Sequence, residues 1–451
     1  MTAVTYEPAH LLTDAFQRNP FASSEEEQEQ EDTPCTTADW EAPAASVAVS
    51  PPPTASSLPG WFASMAKSLQ GQPLFAPPLA NPGKWWTSRY LQAELARRKW
   101  RKNLRVQLQH FLRDSGLLRA MVDTLVTIGT PALAMEHPDI VPRFLQLSQD
   151  CTRIKYGDHD MQGIDMFLPK EVEEPKGLLF FVHGGAWGSG KPWMYRLLAE
   201  PFLQKGMAVA VVGYRTFPDG DINDQVNDLE RASQELTKRY PHLCLPQCQS
   251  DLGVCVMGHS SGAHIAMEML VNRLLQKQQH TDATQMRIDS FIGISAPYEL
   301  SSHYEFETMR GLEHISPMKA VCGYDRDRLS EYSPVLRLFQ KMDALPRSDR
   351  QAIKEACPPV AMIHGTHDDT VPFTSSRQAA KLFSLAGIHK CQEMYLSETG
   401  HSDTVLELML GGKTQDILMD WLLKSNKKED VSTQGMDASL TREKEMALTT
   451  P

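Results

Sequence analysis

The pentapeptide GHSSG at residues 258–262 constrains the fold more than any other stretch of the chain. Residues 254–257 before it read as a short buried strand, and residues 263–270 after it read as a helix. A serine with glycine at both second neighbours, between a strand and a helix, is typical of a sharp turn that lifts the serine hydroxyl away from the backbone. Because so short a pattern also occurs by chance, its meaning depends on the rest of the chain.

Strand-like and helix-like stretches alternate from about residue 152 onward, which favours an α/β fold with a mostly parallel sheet and helices on both faces. Residues 152–156 and 161–168 read as an opening antiparallel pair of strands. Further strands are predicted at residues 177–183, 207–212, 254–257, 287–294, 359–364 and 391–396. Further helices are predicted at residues 193–205, 223–240, 373–386 and 402–423, the last of them interrupted at Gly411-Gly412. We therefore predict one α/β domain over residues 151–424.

The segments outside the regular alternation differ in composition. Residues 1–85 and 425–451 hold too little apolar area to offset chain entropy, so we predict that both are disordered. Residues 86–150 are predicted to be a basic amphipathic helical segment, because six of the nine residues at 97–105 are basic. Residues 297–345 break the alternation inside the domain and are predicted to form a small cap over the site.

Composition argues against several classes of protein. A formal net charge of −11 disfavours binding to nucleic acid. Eight scattered cysteines do not make a disulfide framework, and Cys244 and Cys248 lack a second Cys/His pair, so we expect structural thiols in a reducing compartment and no metal. The N-terminus has no secretory signal, and no stretch reaches 18 consecutive apolar residues, so we expect an intracellular protein.

Three residues in the expected chain order could form a catalytic constellation. A serine hydroxyl needs a base within hydrogen-bond reach, and the base needs a carboxylate that orients it. Asp368 follows the strand predicted at residues 359–364, and His401 lies between the last strand and the last helix. We therefore predict Ser260 as nucleophile, Asp368 as acid and His401 as base, with Asp369 as the reserve choice for the acid.

A glycine-rich loop at residues 183–187, with the sequence HGGAW, directly follows a predicted buried strand. The tetrahedral intermediate of acyl transfer carries an oxyanion, which needs preorganised backbone N–H donors. The candidate donors are the amides of Gly184, Gly185, Ala186 and Ser261. Trp187 and Trp193 are candidates for the wall of a substrate pocket. The histidines at 259, 264, 364 and 367 are predicted to be structural.

With these residues in place, the chain resembles the α/β-hydrolase superfamily on the side of the hormone-sensitive-lipase-like esterases, and most of all the isoprenylcysteine α-carbonyl methylesterases. The resemblance covers about residues 150–424. It rests on YGDH (156–159), MFLP (166–169), HGGAW (183–187), YRTFPDG (214–220), MGHSSGAHI (257–265), HGT (364–366) and GHSD (400–403). It implies a serine hydrolase that cleaves a small apolar carboxyl ester through an acyl-enzyme without a cofactor. In that family the substrate is a prenylcysteine methyl ester, and the enzymes sit on endomembranes.

Two departures from that family leave alternatives open. Residues 86–135 are amphipathic and basic, so we expect peripheral contact of residues 97–118 with endoplasmic reticulum or Golgi membranes, or else a cytoplasmic protein. A solvated helix on the flank of the domain, or a signal for a partner, would explain the same pattern. The third position of the oxyanion loop is Ala186 rather than the glycine common in the wider lipase group. The Gly-Gly-x-Trp stretch is also seen in kynurenine formamidases, which keeps an arylformamidase or a general short-acyl carboxylesterase open. A ligand-binding relative without turnover is the alternative from another class.

Overall fold

A computed structural model describes residues 99, 104–117, 119–121, 123, 134–247, 250–276 and 285–425 of the chain. Residues 1–85 and all but the first residue of 425–451, which are predicted to be disordered, lie outside the described residues, as does most of the basic stretch at 97–105. Within the described part, no helix combines the length and the apolar character that crossing a bilayer requires.

An eight-stranded sheet with the strand order β1-β2-β4-β3-β5-β6-β7-β8 forms the centre of the domain. The strands are β1 (Thr152–Lys155), β2 (Gly163–Phe167), β3 (Gly177–Val182), β4 (Ala208–Val212), β5 (Gly253–His259), β6 (Ser290–Ile294), β7 (Val360–Gly365) and β8 (Cys391–Leu396). Strand β2 is antiparallel to both of its neighbours, and all pairs from β4 across to β8 are parallel. The prediction of an α/β fold with a mostly parallel sheet is confirmed.

Helices cover both faces of this sheet. They are α1 (Ile140–Asp150), α2 (Ala199–Leu203), α3 (Ile222–Arg239), α4 (Pro241–Cys244), α5 (Ser261–Gln276), α6 (Leu300–Met309), α7 (Met318–Val321), α8 (Pro334–Asp343), α9 (Arg347–Ala356), α10 (Thr374–Leu385), α11 (His401–Leu410) and α12 (Lys413–Ser425). One buried cluster joins the sheet to α3, α5, α8 and α10, and a second joins it to α1, α2, α11 and α12. The strands contribute to both clusters because successive side chains point to opposite faces.

The register of the sheet brings distant loops together at its carboxyl edge. Val182, the last residue of β3, lies opposite Gly258 of β5, so the glycine-rich loop begins beside the GHSSG turn. Gly365 of β7 lies opposite Leu396 of β8, so the loops that follow these two strands are neighbours. Open α/β sheets place their binding sites at this edge.

One predicted helix differs from the structure, and a second is interrupted where the sequence indicates. The helix predicted at residues 193–205 is a 3₁₀ helix, Pro192–Leu198, followed by the short α2. Pro201 lies in the first turn of α2, and it could not occupy the interior of one continuous helix because it has no N–H to donate. The helix predicted at residues 402–423 is interrupted at Gly411 and Gly412 as expected, because these two glycines, both with positive φ, separate α11 from α12.

The described part of the predicted amphipathic segment contains a helix at residues 104–114, whose inner side makes polar contacts with the domain. Arg113 donates to the carbonyl oxygen of His314 at 3.1 Å and is almost fully buried. Leu108 and Phe111 of the same helix are 55% and 50% exposed. Apolar side chains therefore point outward. Contact of this segment with a membrane stays a prediction.

Candidate active site

The GHSSG turn connects β5 to α5 and has the strained geometry that its sequence predicts. Ser260 has a φ of 54°, in the left-handed region, and its amide donates to the carbonyl oxygen of Ile294 at 2.8 Å. A Cβ atom at Gly262 would lie 2.2 Å from the carbonyl oxygen of His183. A Cβ atom at Gly258 would lie 2.5 Å from the Cα atom of Ala263. Both glycines are therefore required by close backbone approach.

Ser260, His401 and Asp368 form a continuous hydrogen-bonded chain. Nε2 of His401 lies 2.9 Å from Oγ of Ser260, and Nδ1 of His401 lies 2.7 Å from Oδ2 of Asp368. His401 is the first residue of α11, and Asp368 lies in the loop after β7. The structure thus brings the three predicted residues together across 141 residues of sequence. Their chemical roles stay a prediction.

The carboxylate of Asp368 is fully buried and is held by several donors. Its Oδ1 accepts from the amides of Thr370 at 3.0 Å and Val371 at 2.8 Å. Burial alone would raise the pKa of Asp368, but hydrogen bonds from His364, His401 and Val371 hold this pKa well below its usual range. The group is therefore a carboxylate at neutral pH. Asp369, the reserve choice, is exposed and its carboxylate contacts the Thr370 hydroxyl instead.

His364 contacts the carboxylate of Asp368 and helps to hold it in place, a role that was not predicted from the sequence. Its Nε2 lies 3.2 Å from Oδ2 of Asp368 and 2.9 Å from the carbonyl oxygen of Val371, so this nitrogen must carry a proton. Its Nδ1 lies 2.8 Å from the hydroxyl of Ser376. The signal in the sequence was the spacing of four residues between the histidine at the end of a strand and the acid that follows.

The loop after β3 presents backbone amides beside Ser260. Ala186 and Trp187 have φ values of 49° and 59°, and the carbonyl oxygen of Gly185 accepts from the amides of residues 188 and 189. Among the backbone hydrogen bonds of the described residues, none is donated by Gly185, Ala186 or Ser261. Ser261 is the first residue of α5, where an amide has no acceptor within its own helix. These three amides are available to a ligand oxygen.

Gly184 differs from the other candidate donors. Its backbone interacts with the hydroxyl of Tyr195, which partly offsets the burial that raises the pKa of Tyr195 to about 12. A Cβ atom at Gly184 would lie 3.1 Å from Cβ of Ser260, so the missing side chain is what allows the loop to approach the serine. We therefore read Gly184 as a spacing residue rather than as a donor.

Trp187 lies in the core instead of lining the cavity beside the site. Its ring is 1% exposed, and its Nε1 donates to Nδ1 of His264 at 3.2 Å. Nε2 of His264 lies 2.7 Å from the carbonyl oxygen of Tyr332, in the predicted cap. Burial lowers the pKa of His264 to about 4, so the ring is neutral and can accept from Trp187. Through His264, Trp187 links the glycine-rich loop to α5 and to the predicted cap. The prediction that Trp187 lines the substrate pocket is therefore wrong for this cavity.

An apolar cavity of about 500 Å³ borders the glycine-rich loop. Its lining includes Trp193 together with Gly184, Gly185 and Ser402, the residue after His401, and the contact of Trp193 with substrate stays a prediction. Among the described residues, no three His, Cys, Asp or Glu side chains are grouped so that they could hold a metal ion. The site therefore combines a serine–histidine–aspartate chain, available amides and an adjoining apolar space.

Residues 164–383 match the model of the BD-FAE family. The matched residues lie in an α/β-hydrolase domain. The match also confirms the resemblance to the hormone-sensitive-lipase-like side of the superfamily. The strand order and the position of Ser260 between β5 and α5 agree with this assignment.

Curated relatives of this α/β-hydrolase include isoprenylcysteine methylesterases and kynurenine formamidases. Isoprenylcysteine alpha-carbonyl methylesterase ICME of Arabidopsis thaliana is 27% identical over 62% of this chain and 65% of that protein. The Arabidopsis thaliana protein named "Probable isoprenylcysteine alpha-carbonyl methylesterase ICMEL1" is 28% identical over 59% of this chain and 54% of its own length. Kynurenine formamidase of Danio rerio is 30% identical over 39% of this chain and 54% of that protein. The chain thus spans about half the length of two of these relatives.

Among solved structures, esterase B from Lactobacillus rhamnosis is 15% identical to this α/β-hydrolase. The superposition covers 72% of this chain and 98% of that chain, with a TM-score of 0.49.

Proposed function

We propose that this α/β-hydrolase is a serine carboxylesterase that acts through an acyl-enzyme. The observation that carries the proposal is the hydrogen-bonded chain from Ser260 through His401 to the buried carboxylate of Asp368. The available amides of Gly185, Ala186 and Ser261 beside Ser260 support it further. The named esterase relatives point to the same class of reaction.

In the proposed mechanism, Oγ of Ser260 attacks the ester carbonyl while Nε2 of His401 takes its proton. The negative charge that develops on the carbonyl oxygen is stabilised by the three backbone amides. His401 then gives the proton to the leaving alkoxide, and the acyl-enzyme remains. Water, activated by the same histidine, attacks the acyl-enzyme and releases the acid. Asp368 holds the tautomer of His401 and stabilises its cation.

We propose a prenylcysteine methyl ester as the first substrate to test, because two of the relatives are named isoprenylcysteine methylesterases. The relative named kynurenine formamidase supports N-formylkynurenine as the second candidate. Rates on these two compounds and on p-nitrophenyl butyrate would rank a methylesterase, an arylformamidase and a general carboxylesterase. If no compound in the panel is hydrolysed but one of them binds tightly, the non-catalytic alternative is supported instead.

The proposed nucleophile can be tested with a fluorophosphonate probe, which reacts covalently with an activated serine. We expect that Ser260→Ala abolishes labelling of the full-length protein. Ser384→Ala, on the exposed surface of α10, is the matched control and should label as the wild type does. Undiminished labelling of Ser260→Ala would exclude Ser260 as the nucleophile.

A further inference from the structure

The apolar cavity described above adjoins the positions that the reacting ester group would occupy. Gly184 and Gly185 on one side belong to the loop that faces Ser260, and Ser402 on the other side follows His401. An ester whose carbonyl oxygen reaches the amides of Gly185 and Ala186 therefore has one of its two ends beside this cavity. The volume of about 500 Å³ falls within the range of pockets that enclose most of an apolar ligand, roughly 300–1,000 Å³.

Most of the described residues that line the cavity are apolar. Three helical elements supply most of these apolar side chains, namely α1, the 3₁₀ helix Pro192–Leu198 and α11. The side chains are Ile140, Val141, Phe144 and Leu145 of α1, Trp193, Met194, Tyr195 and Leu197 of the 3₁₀ helix, and Val405, Leu406, Met409 and Leu410 of α11. Phe144 and Trp193 pack edge to face with their ring centroids 6.5 Å apart.

Among the described residues that line the cavity, Asp123 is the one charged residue, and its carboxylate already has partners. Its carboxylate accepts from the amide of Gly190 at 3.3 Å and lies 3.4 Å from Nζ of Lys191. A charged group of a ligand would have to give up water here without gaining a free partner, which is unfavourable. The cavity therefore selects for an apolar chain.

No residue of the predicted cap, 297–345, lines this cavity. The sequence analysis places the cap over the site, where it would contact substrate. Instead of the cap, α1 supplies four of the apolar side chains that line the cavity, and α1 precedes β1 in the chain.

We propose that this cavity binds a long apolar chain of the substrate and that α1 sets the preferred chain length. The inference rests on the proposed esterase function and names the substrate class of the same site. Burial of each further methylene should raise kcat/KM about fourfold until the cavity is full. The chain could belong to the acyl group or to the alcohol, since either end of an ester can lie beside the cavity.

Two series of esters show whether the bound chain belongs to the acyl group or to the alcohol. The first is p-nitrophenyl esters from acetate to dodecanoate, which lengthen the acyl group. The second is acetate esters from methyl to dodecyl, which lengthen the alcohol. We expect the full-length protein to show a steep rise of kcat/KM with chain length in one series and little change in the other.

Variants of α1 should shift that profile in opposite directions. Leu145 is 55% exposed at the rim, and Leu145→Trp should lower the ratio of long-chain to short-chain kcat/KM at least tenfold by closing the space. Phe144→Ala should move the optimum to longer chains, because it removes the ring that packs against Trp193. Leu385→Trp on α10 is the matched control, since Leu385 is 53% exposed and outside this lining, and its ratio should equal that of the wild type.

The inference is overturned if short esters are hydrolysed without dependence on chain length, or if Leu145→Trp and Leu385→Trp give the same ratio. It is also overturned if Leu312→Trp, in the predicted cap, shifts the ratio while Leu145→Trp leaves it unchanged. Failure of the proposed function looks different, because the wild type would then hydrolyse none of the esters and would not react with the fluorophosphonate probe.

Discussion

Ser260, Ala186 and Trp187 hold left-handed backbone conformations although none of them is glycine. Such conformations cost about 1–2 kcal/mol each for residues with a Cβ atom. All three lie where the backbone turns toward the space in which a substrate carbonyl would bind. The bond from the Ser260 amide to Ile294 and the bond from Trp187 to His264 help to hold these residues in place. The strain thus coincides with the positions whose geometry the chemistry requires.

Separate substitution of the two adjacent aspartates should show which of them orients His401. Asp368→Asn keeps the shape of the side chain but removes the carboxylate that fixes the tautomer of His401, so kcat should fall by about 10³–10⁴ with KM little changed. Asp369→Asn should leave kcat within about twofold of the wild type, because Asp369 is exposed and does not contact His401. Steady-state kinetics on p-nitrophenyl butyrate measures both. Similar losses in the two variants would contradict the assignment of Asp368.

At the scale of elements, the strands were predictable because each is a short, continuous apolar run between turn signals. Residues 254–257 were recognised in this way, and the structure extends that strand to Gly253–His259. The serine, the acid and the histidine could also be assigned from the sequence, because each of them follows a predicted strand. The division of residues 193–205 into two helical types was missed, although Pro201 carried the signal.

The wall of the apolar cavity could not be predicted from local sequence. The cavity joins α1 to the 3₁₀ helix Pro192–Leu198 and to α11, which lie up to about 270 residues apart in the chain. Apolar periodicity identifies a buried face but does not say which other face it meets. The same limit explains why the position of Trp187 was predicted wrongly, because its contact with His264 arises only from the packing of the loop against α5.

The helix at residues 104–114 carries the predicted membrane contact. Leu108 and Phe111 are exposed, and the neighbouring stretch at 97–105 is strongly basic, a combination suited to an anionic lipid surface. We expect the full-length protein to sediment with vesicles that contain phosphatidylserine and much less with phosphatidylcholine alone. The double variant Leu108→Ser, Phe111→Ser should weaken that association about tenfold or more.

Leu385→Ser, with a similarly exposed leucine on α10, is the control and should bind as the wild type does. Equal binding of all forms to both kinds of vesicle would argue against this helix as a membrane contact.

For the whole molecule, buried histidines link stability to pH. Burial lowers the pKa of four rings below the usual 6.5, to about 4 for His183 and His264 and to about 3 for His259 and His303. Between pH 6.5 and 4, the unfolded chain binds protons on these rings that the folded chain does not, so stability falls as the pH falls. Each such proton is worth about 1.4 kcal/mol per pH unit. We expect Tm, measured by scanning calorimetry, to decrease steadily from pH 7 to pH 4.5.

Glu307 opposes this trend and offers a check on it. Burial raises the pKa of its carboxyl to about 7, so its proton is held by the folded state and lost from the unfolded state above pH 4.5. Its contribution to stability therefore decreases as the pH rises from 4.5 through 7. Glu307→Gln should make Tm depend more steeply on pH than in the wild type, with the largest gain in Tm near pH 8. A Tm profile that is flat in the wild type and unaltered in the variant would contradict this account.

Helix α1 has 11 residues and ends before the first strand of the sheet begins. Ser260, Asp368 and His401 all belong to later segments, so the part of the chain that would select the substrate is separate from the part that would transform it. A redesign could therefore exchange this single helix as a cassette. Relatives that share the catalytic segments could then differ in substrate specificity while they catalyse the same reaction.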